Sequence, residues 1–165
     1  MLTSAVMNCY VLTGGRSQRM GRSKAALFLD RVTEAARPVF DDVLVIGQQE
    51  GAPIFGVARA LRGANDRAFI LGVDYPLITR EVLQFVRDRG GVPMWNGEPQ
   101  LLCAVWDLAH LKEIERRIAE GRLDLRGIRE TDIIPEAELR SRFAGEPLMN
   151  VNTPAELEAA ERWYG

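Results

Sequence analysis

Ala5-Val6-Met7-Asn8-Cys9-Tyr10-Val11-Leu12-Thr13, followed at once by Gly14-Gly15, is a strand-like run that stops at a glycine turn. Three further apolar runs repeat the arrangement. Val43–Ile46 is closed by Gly47, Ala68–Val73 by Asp74, and Leu101–Trp106 stands as the fourth. These runs carry little polar alternation, so they suit strands buried on both faces, in a mostly parallel sheet covered by helices. The stretches between them have helix punctuation. Thr79 can cap a helix with Val82, Leu83 and Val86 inward and Gly90 beyond its end. Asp107 can cap another, with Leu108, Leu111, Ile114 and Ile118 on one stripe and Gly121 as its stop. Thr153, Pro154 and Glu156 form a capping box that opens a last helix, with Leu157, Ala160 and Tyr164 on one face. Strand–helix alternation over residues 1–165 predicts a single α/β domain, a doubly wound, mostly parallel sheet flanked by helices. In such sheets ligands bind beyond the carboxyl ends of the strands.

Composition narrows the function classes. The 165 residues are 47% hydrophobic and 27% charged, with 21 Lys+Arg against 23 Asp+Glu and a net charge of −2. Such balance argues against nucleic-acid binding and against a polybasic membrane-surface module. The longest apolar run, Leu101–Trp106, is too short to span a bilayer. The first ten residues lack the basic region of a signal peptide. Cys9 and Cys103 are the only cysteines and both sit in apolar runs, as buried free thiols of a reducing, cytoplasmic protein. His110 is the only histidine, which leaves little for a zinc site or a histidine-based triad.

The segment after the first strand carries the chemistry. Val11-Leu12-Thr13-Gly14-Gly15-Arg16-Ser17-Gln18-Arg19-Met20-Gly21-Arg22-Ser23-Lys24 joins a tight turn to several cations and short polar side chains. Paired glycines let the backbone approach a ligand, and its N–H groups can cradle an anion. Arg19 and Lys24 then supply charge for a polyphosphate. No Gly-Lys-Ser/Thr closes the loop as in a Walker A motif, and Gly-x-Gly-x-x-Gly is absent.

Asp74 follows the third strand directly, and Tyr75-Pro76 carries the chain away from it. A carboxylate there suits either Mg²⁺, which takes one or two carboxylates beside substrate phosphates, or a turn. Asn150 and Asn152 precede the last helix as ordinary turn formers. Gly51–Val57 holds no charged side chain, so a role there must use backbone groups. His110 reads as a surface residue, Glu113–Arg117 as a solvated helix face, and Trp95, Trp106 and Trp163 as core or surface anchors.

The glycine loop resembles the signature of Rossmann-like nucleotidyltransferases, and later segments narrow the likeness. Gly51-Ala52-Pro53-Ile54-Phe55-Gly56-Val57 is similar to a Gly-Pro-Leu-Ala-Gly segment, and Leu71-Gly72-Val73-Asp74-Tyr75-Pro76-Leu77-Ile78 to Cys-Asp-x-Pro-Leu-Ile. Asn150-Val151-Asn152-Thr153-Pro154 is similar to Asn-Val-Asn-Thr-Pro. The pattern resembles that of the molybdenum cofactor guanylyltransferases, enzymes that transfer GMP from GTP to molybdopterin and release pyrophosphate. The resemblance implies that Leu12, Thr13, Gly14, Gly15, Ser17 and Lys24 hold the nucleotide, with Gly56 beside the base. It implies Arg19, Lys24 and Asp74 as catalytic residues, Mg²⁺ on Asp74, and Asn150 and Asn152 near the metal and the acceptor. Glu98–Leu101 resembles a segment on the acceptor side, and is equally a turn entering a strand. Transient contact with molybdenum enzymes or other cofactor-biosynthesis proteins is a further implication. The loop departs from the family at Ser23, where an acidic residue is usual, and the chain is shorter around the second strand. Other expectations stay open: another base or acceptor (CTP, a sugar phosphate, a phospho-acid), or a nucleotide-binding relative without catalysis.

Overall fold

The computed structural model describes residues 6–13, 24–47, 51–129, 132–151 and 153–164. Their elements are β1 (Asn8–Thr13), α1 (Lys24–Ala36), β2 (Val43–Gly47), α2 (Pro53–Arg62), β3 (Arg67–Gly72), α3 (Arg80–Arg89) and β4 (Val92–Trp95). Then come β5 (Glu98–Pro99), β6 (Cys103–Asp107), a 3₁₀ turn (Leu108–His110), α4 (Leu111–Ala119), β7 (Ile133–Ile134), α5 (Glu136–Arg142) and α6 (Pro154–Tyr164).

Four strands form the main sheet in the order β2-β1-β3-β6, and β5-β4-β7 form a second. β1 runs parallel to both neighbours, with Leu12 opposite Ile46 and Gly72. Alternate residues of β1 and β3 feed two different cores. Cys9, Val11, Phe69 and Leu71 pack with Val32 and Ala36 of α1 and with Val82, Leu83 and Val86 of α3. Tyr10, Leu12, Ala68 and Ile70 pack with Ile54, Val57 and Leu61 of α2 and with Ile114 of α4. Helices therefore cover both faces, which is why these strands read as unbroken apolar runs.

Several expectations need correction. The fourth strand runs over Cys103–Asp107 and lies antiparallel to β3, with Leu71 opposite Cys103. Leu108 is 37% exposed and leaves the expected stripe. The cause is the 3₁₀ turn ahead of α4, whose tighter winding shifts the phase of the helix. Arg117 is not on a solvated face: it is 6% exposed, and its guanidinium bonds the carbonyls of Asp124 and Arg126 at 3.1 and 2.6 Å. His110 is half-buried, edge-on to Trp106 at 5.7 Å, and hydrogen-bonded through Nδ1 to the main chain of Asp107 at 3.1 Å. Trp95 and Trp106 are core residues; the Trp163 side chain, like those of Leu157 and Tyr164, lies outside the described set.

The punctuation of α3 and α6 holds. The Thr79 side chain accepts from Val82 N–H at 3.3 Å, Gly90 closes α3 with φ of 72°, and Thr153 Oγ1 accepts from Glu156 N–H at 3.2 Å. Cys9 and Cys103 are both buried and unpaired, and burial pushes both thiols up, with Cys103 adding to the effect at Cys9.

Candidate active site at the carboxyl edge of the sheet

Register brings three strand ends to one edge. Thr13 lies opposite Gly47, and Leu12 opposite Gly72. Thr13 Oγ1 donates to the Ile46 carbonyl at 3.3 Å, and Val73 N–H donates to the Leu12 carbonyl at 3.3 Å. The Leu12 side chain is 1% exposed and belongs to the core, so only its backbone borders the edge. Gly14, Gly15, Ser17, Arg19 and Asn152 lie outside the described residues. Lys24 is the first residue of α1, and its side chain is likewise outside the described set.

Asp74 stands two residues past β3 and is half-buried. Its carbonyl accepts the Val151 N–H at 2.8 Å, which brings the half-buried Asn150 to the same strand tip. Val151 itself is fully buried with Phe28 of α1 and Ala160 of α6, a small core that ties α1 and α6 to this segment. The segments bearing Asp74 and Asn150 are therefore joined by a backbone bond, although 76 positions separate the two residues in the chain.

After β2 comes Gly51, whose φ is 83° and where an added Cβ would meet no atom of the described residues within 4 Å. Helix α2 begins at Pro53, and no side chain caps it at Ala52. Gly56 is buried within α2 rather than in the turn, and Gly51 is the glycine that precedes the helix.

Sequence reasoning missed the role of Tyr75. Its ring is 2% exposed, and its hydroxyl donates to Gln100 Oε1 at 3.0 Å. Burial, then Cys103 and Asp74, pushes the phenol well up, so it remains a donor. Glu98-Pro99 forms the short β5 and pairs with β4, which makes Glu98–Leu101 a turn entering β6 as well as a neighbour of the Asp74 segment. No periodicity could have signalled a pairing across 25 residues.

The donors at this edge are oxygens: the Asp74 carboxylate, the Asn150 amide and main-chain carbonyls. Hard oxygen donors suit Mg²⁺, which needs few protein ligands when phosphates and water complete its shell. No group of three His, Cys, Asp or Glu poised for a metal occurs among the described residues, and a Mg²⁺–nucleotide site of that kind requires none.

The solved Molybdopterin-guanine dinucleotide biosynthesis protein A from Archaeoglobus fulgidus superposes with a TM-score of 0.80 and 22% identity, over 96% of this chain and 98% of that one. The fold is that of the Rossmann-like nucleotidyltransferases. A Probable molybdenum cofactor guanylyltransferase of Aquifex aeolicus is 27% identical over 182 residues, spanning 94% of this chain and 90% of its own. The Molybdenum cofactor guanylyltransferase of Sinorhizobium fredii is 29% identical over 195 residues, spanning 93% and 89%. Over nine-tenths of its length the chain is thus similar to proteins named molybdenum cofactor guanylyltransferases. No family model matches it.

Proposed function

We propose that this chain, acting as one domain, transfers GMP from GTP to molybdopterin. A phosphate oxygen of molybdopterin attacks the α-phosphorus in line, the bond to the bridging oxygen breaks, and pyrophosphate leaves. The observation that carries this reading is the Asp74 tip, held by a backbone bond to the Asn150–Val151 segment at the edge where three strands end.

Each group then has a task. The backbone of Leu12–Gly15, with Ser17, cradles the triphosphate, and Arg19 and Lys24 offset the charge that grows on pyrophosphate. Asp74 is the residue to hold Mg²⁺, which when bound neutralises charge on the phosphate oxygens. The start of α2, from Gly51 towards Gly56, borders the guanine, and Asn150 and Asn152 orient the acceptor. Positioning does most of the work, and no covalent enzyme intermediate is required.

No helix among the described residues is long and apolar enough to cross a membrane. The reading places the reaction in the cytoplasm, with the product passed by transient contact to molybdenum enzymes or other cofactor-biosynthesis proteins. The test is direct: incubate the protein with GTP, Mg²⁺ and molybdopterin and look for the dinucleotide by mass spectrometry. Its formation supports the reading; consumption of GTP by another acceptor but not by molybdopterin refutes it.

A further inference from the structure

Hydrogen bonds around Asp74 close into a ring. Tyr75 donates to Gln100 Oε1 at 3.0 Å, and Gln100 Nε2 donates to the carbonyls of Trp95 and Glu98 at 3.2 and 3.1 Å. Trp95, 1% exposed, donates its indole N–H to Glu146 Oε2 at 3.0 Å. The Glu146 carbonyl accepts from Met149 N–H at 3.1 Å, and Val151 N–H returns to the Asp74 carbonyl at 2.8 Å. Arg140 braces the far side, stacked 3.9 Å from the Trp95 ring centroid and 3.5 Å from Glu146.

Two features set this ring apart from ordinary packing. A phenylalanine would fill the site of Tyr75 without demanding a partner, whereas a buried hydroxyl must find one. The amide of Gln100 commits its oxygen and its nitrogen to the protein. It is thereby a strut between the tip of β3 and the β4–β5 hairpin, which belong to different sheets.

We infer that Tyr75 and Gln100 are positioning residues, which hold Asp74 and the β4–β5 hairpin in one fixed relation so that the carboxylate meets the nucleotide-bound cation in register. The inference rests on the proposed nucleotidyl transfer and deepens it. Groups behind a metal ligand typically change metal affinity or activity by about 10- to 100-fold when removed.

The test uses Tyr75→Phe and Gln100→Leu, singly and together. Each is titrated with Mg²⁺ at fixed GTP, following the thermal shift, and each is assayed for kcat and KM. The expected result is a folded protein whose Mg²⁺ half-saturation rises about tenfold, with kcat down by about 10- to 100-fold. KM for GTP stays within about threefold, because the hydrogen bonds of Tyr75 and Gln100 run to each other and to the β4–β5 hairpin. The double variant is no worse than Gln100→Leu alone, since that substitution already removes the bond that Tyr75→Phe removes. Should Tyr75→Phe fail to fold, Gln100→Leu, at a half-buried position, gives the same reading. A lower melting temperature with wild-type Mg²⁺ half-saturation and kcat overturns the inference and leaves the functional reading intact. A wild type whose GTP binding ignores Mg²⁺ overturns both.

Discussion

The N–H of Val151 donates to the carbonyl of Asp74 at 2.8 Å, so the segment bearing Asn150 docks on the main chain of Asp74. The buried Val151 side chain, packed with Phe28 and Ala160, seals that junction. Changing the Asp74 side chain therefore leaves the docking bond in place.

Asp74→Asn keeps the shape of the tip and removes the charge that would tie a cation to phosphates. Turnover should fall by at least about 100-fold, because metal-based charge stabilisation supplies several kcal/mol and each ~1.4 kcal/mol is about tenfold. Metal-free GTP affinity should stay the same or rise slightly, since a carboxylate facing a triphosphate repels it. Pyrophosphate release and metal-free GTP titration on the same variant decide the matter. Near-normal turnover removes Asp74 from the site.

Lys24 opens α1, directly after the glycine loop. Lys24→Ala should weaken GTP binding while shifting the melting temperature of the free protein little. A surface lysine pair contributes at most about 1 kcal/mol to stability. Calorimetric GTP titration beside a melting curve checks this, and unchanged affinity with a large loss of stability contradicts it.

Much of the architecture is legible in the sequence where one physical cause dominates. β1 and β3 read as strands because both faces are buried, and α3 and α6 are announced by Thr79, Gly90 and Thr153, whose cap bonds form. The direction of β6 is not legible, since an apolar run is the same parallel or antiparallel. Helix α1 over Lys24–Ala36 is not legible from punctuation, because Ser23, a cap-type residue directly ahead of it, reads equally as part of the glycine loop. Arg117 looks like any i, i+4 partner of Glu113 until the 122–128 turn folds over it and takes its guanidinium. At the site, Asp74 and Asn150 are legible as strand-tip and turn residues, but the Tyr75–Gln100–Trp95–Glu146 links join positions far apart in the chain. Such bonds follow from packing and leave no local pattern.

His110 predicts a pH effect. Burial, and then the charge of Arg129, holds its imidazole below the ordinary value of 6.5, against a smaller opposing pull from Asp107. The folded protein thus binds the proton less readily than the unfolded chain. The stability this neutral ring contributes is complete above about pH 6.5 and is lost as pH falls through the lower folded value. Melting temperature should decline from pH 7.5 to pH 5.5, and His110→Gln should flatten that slope. Equal slopes in the two proteins would rule His110 out as the cause.

Gly91 tests the junction of the second sheet. A Cβ there would lie 2.5 Å from the Asp132 carbonyl oxygen and 3.3 Å from Ile134 Cγ1. The nearest obstacle is backbone, and that same carbonyl accepts Val92 N–H at 2.9 Å. Gly91→Ala should cost about 1–3 kcal/mol, as overpacking does. At ~2–4 °C per kcal/mol for a chain of this size, the melting temperature should drop by several degrees. A melting curve within 1 °C of wild type would show that the strands separate without cost.

The central claim is guanylyl transfer to molybdopterin. Its most direct measurement is pyrophosphate release with GTP, ATP and CTP in turn, each with and without molybdopterin, in the presence of Mg²⁺. The account predicts sustained release only when GTP and molybdopterin are both present, with the other two nucleotides at least about tenfold slower. Release that is equal for all three nucleotides, or that does not depend on molybdopterin, would contradict it.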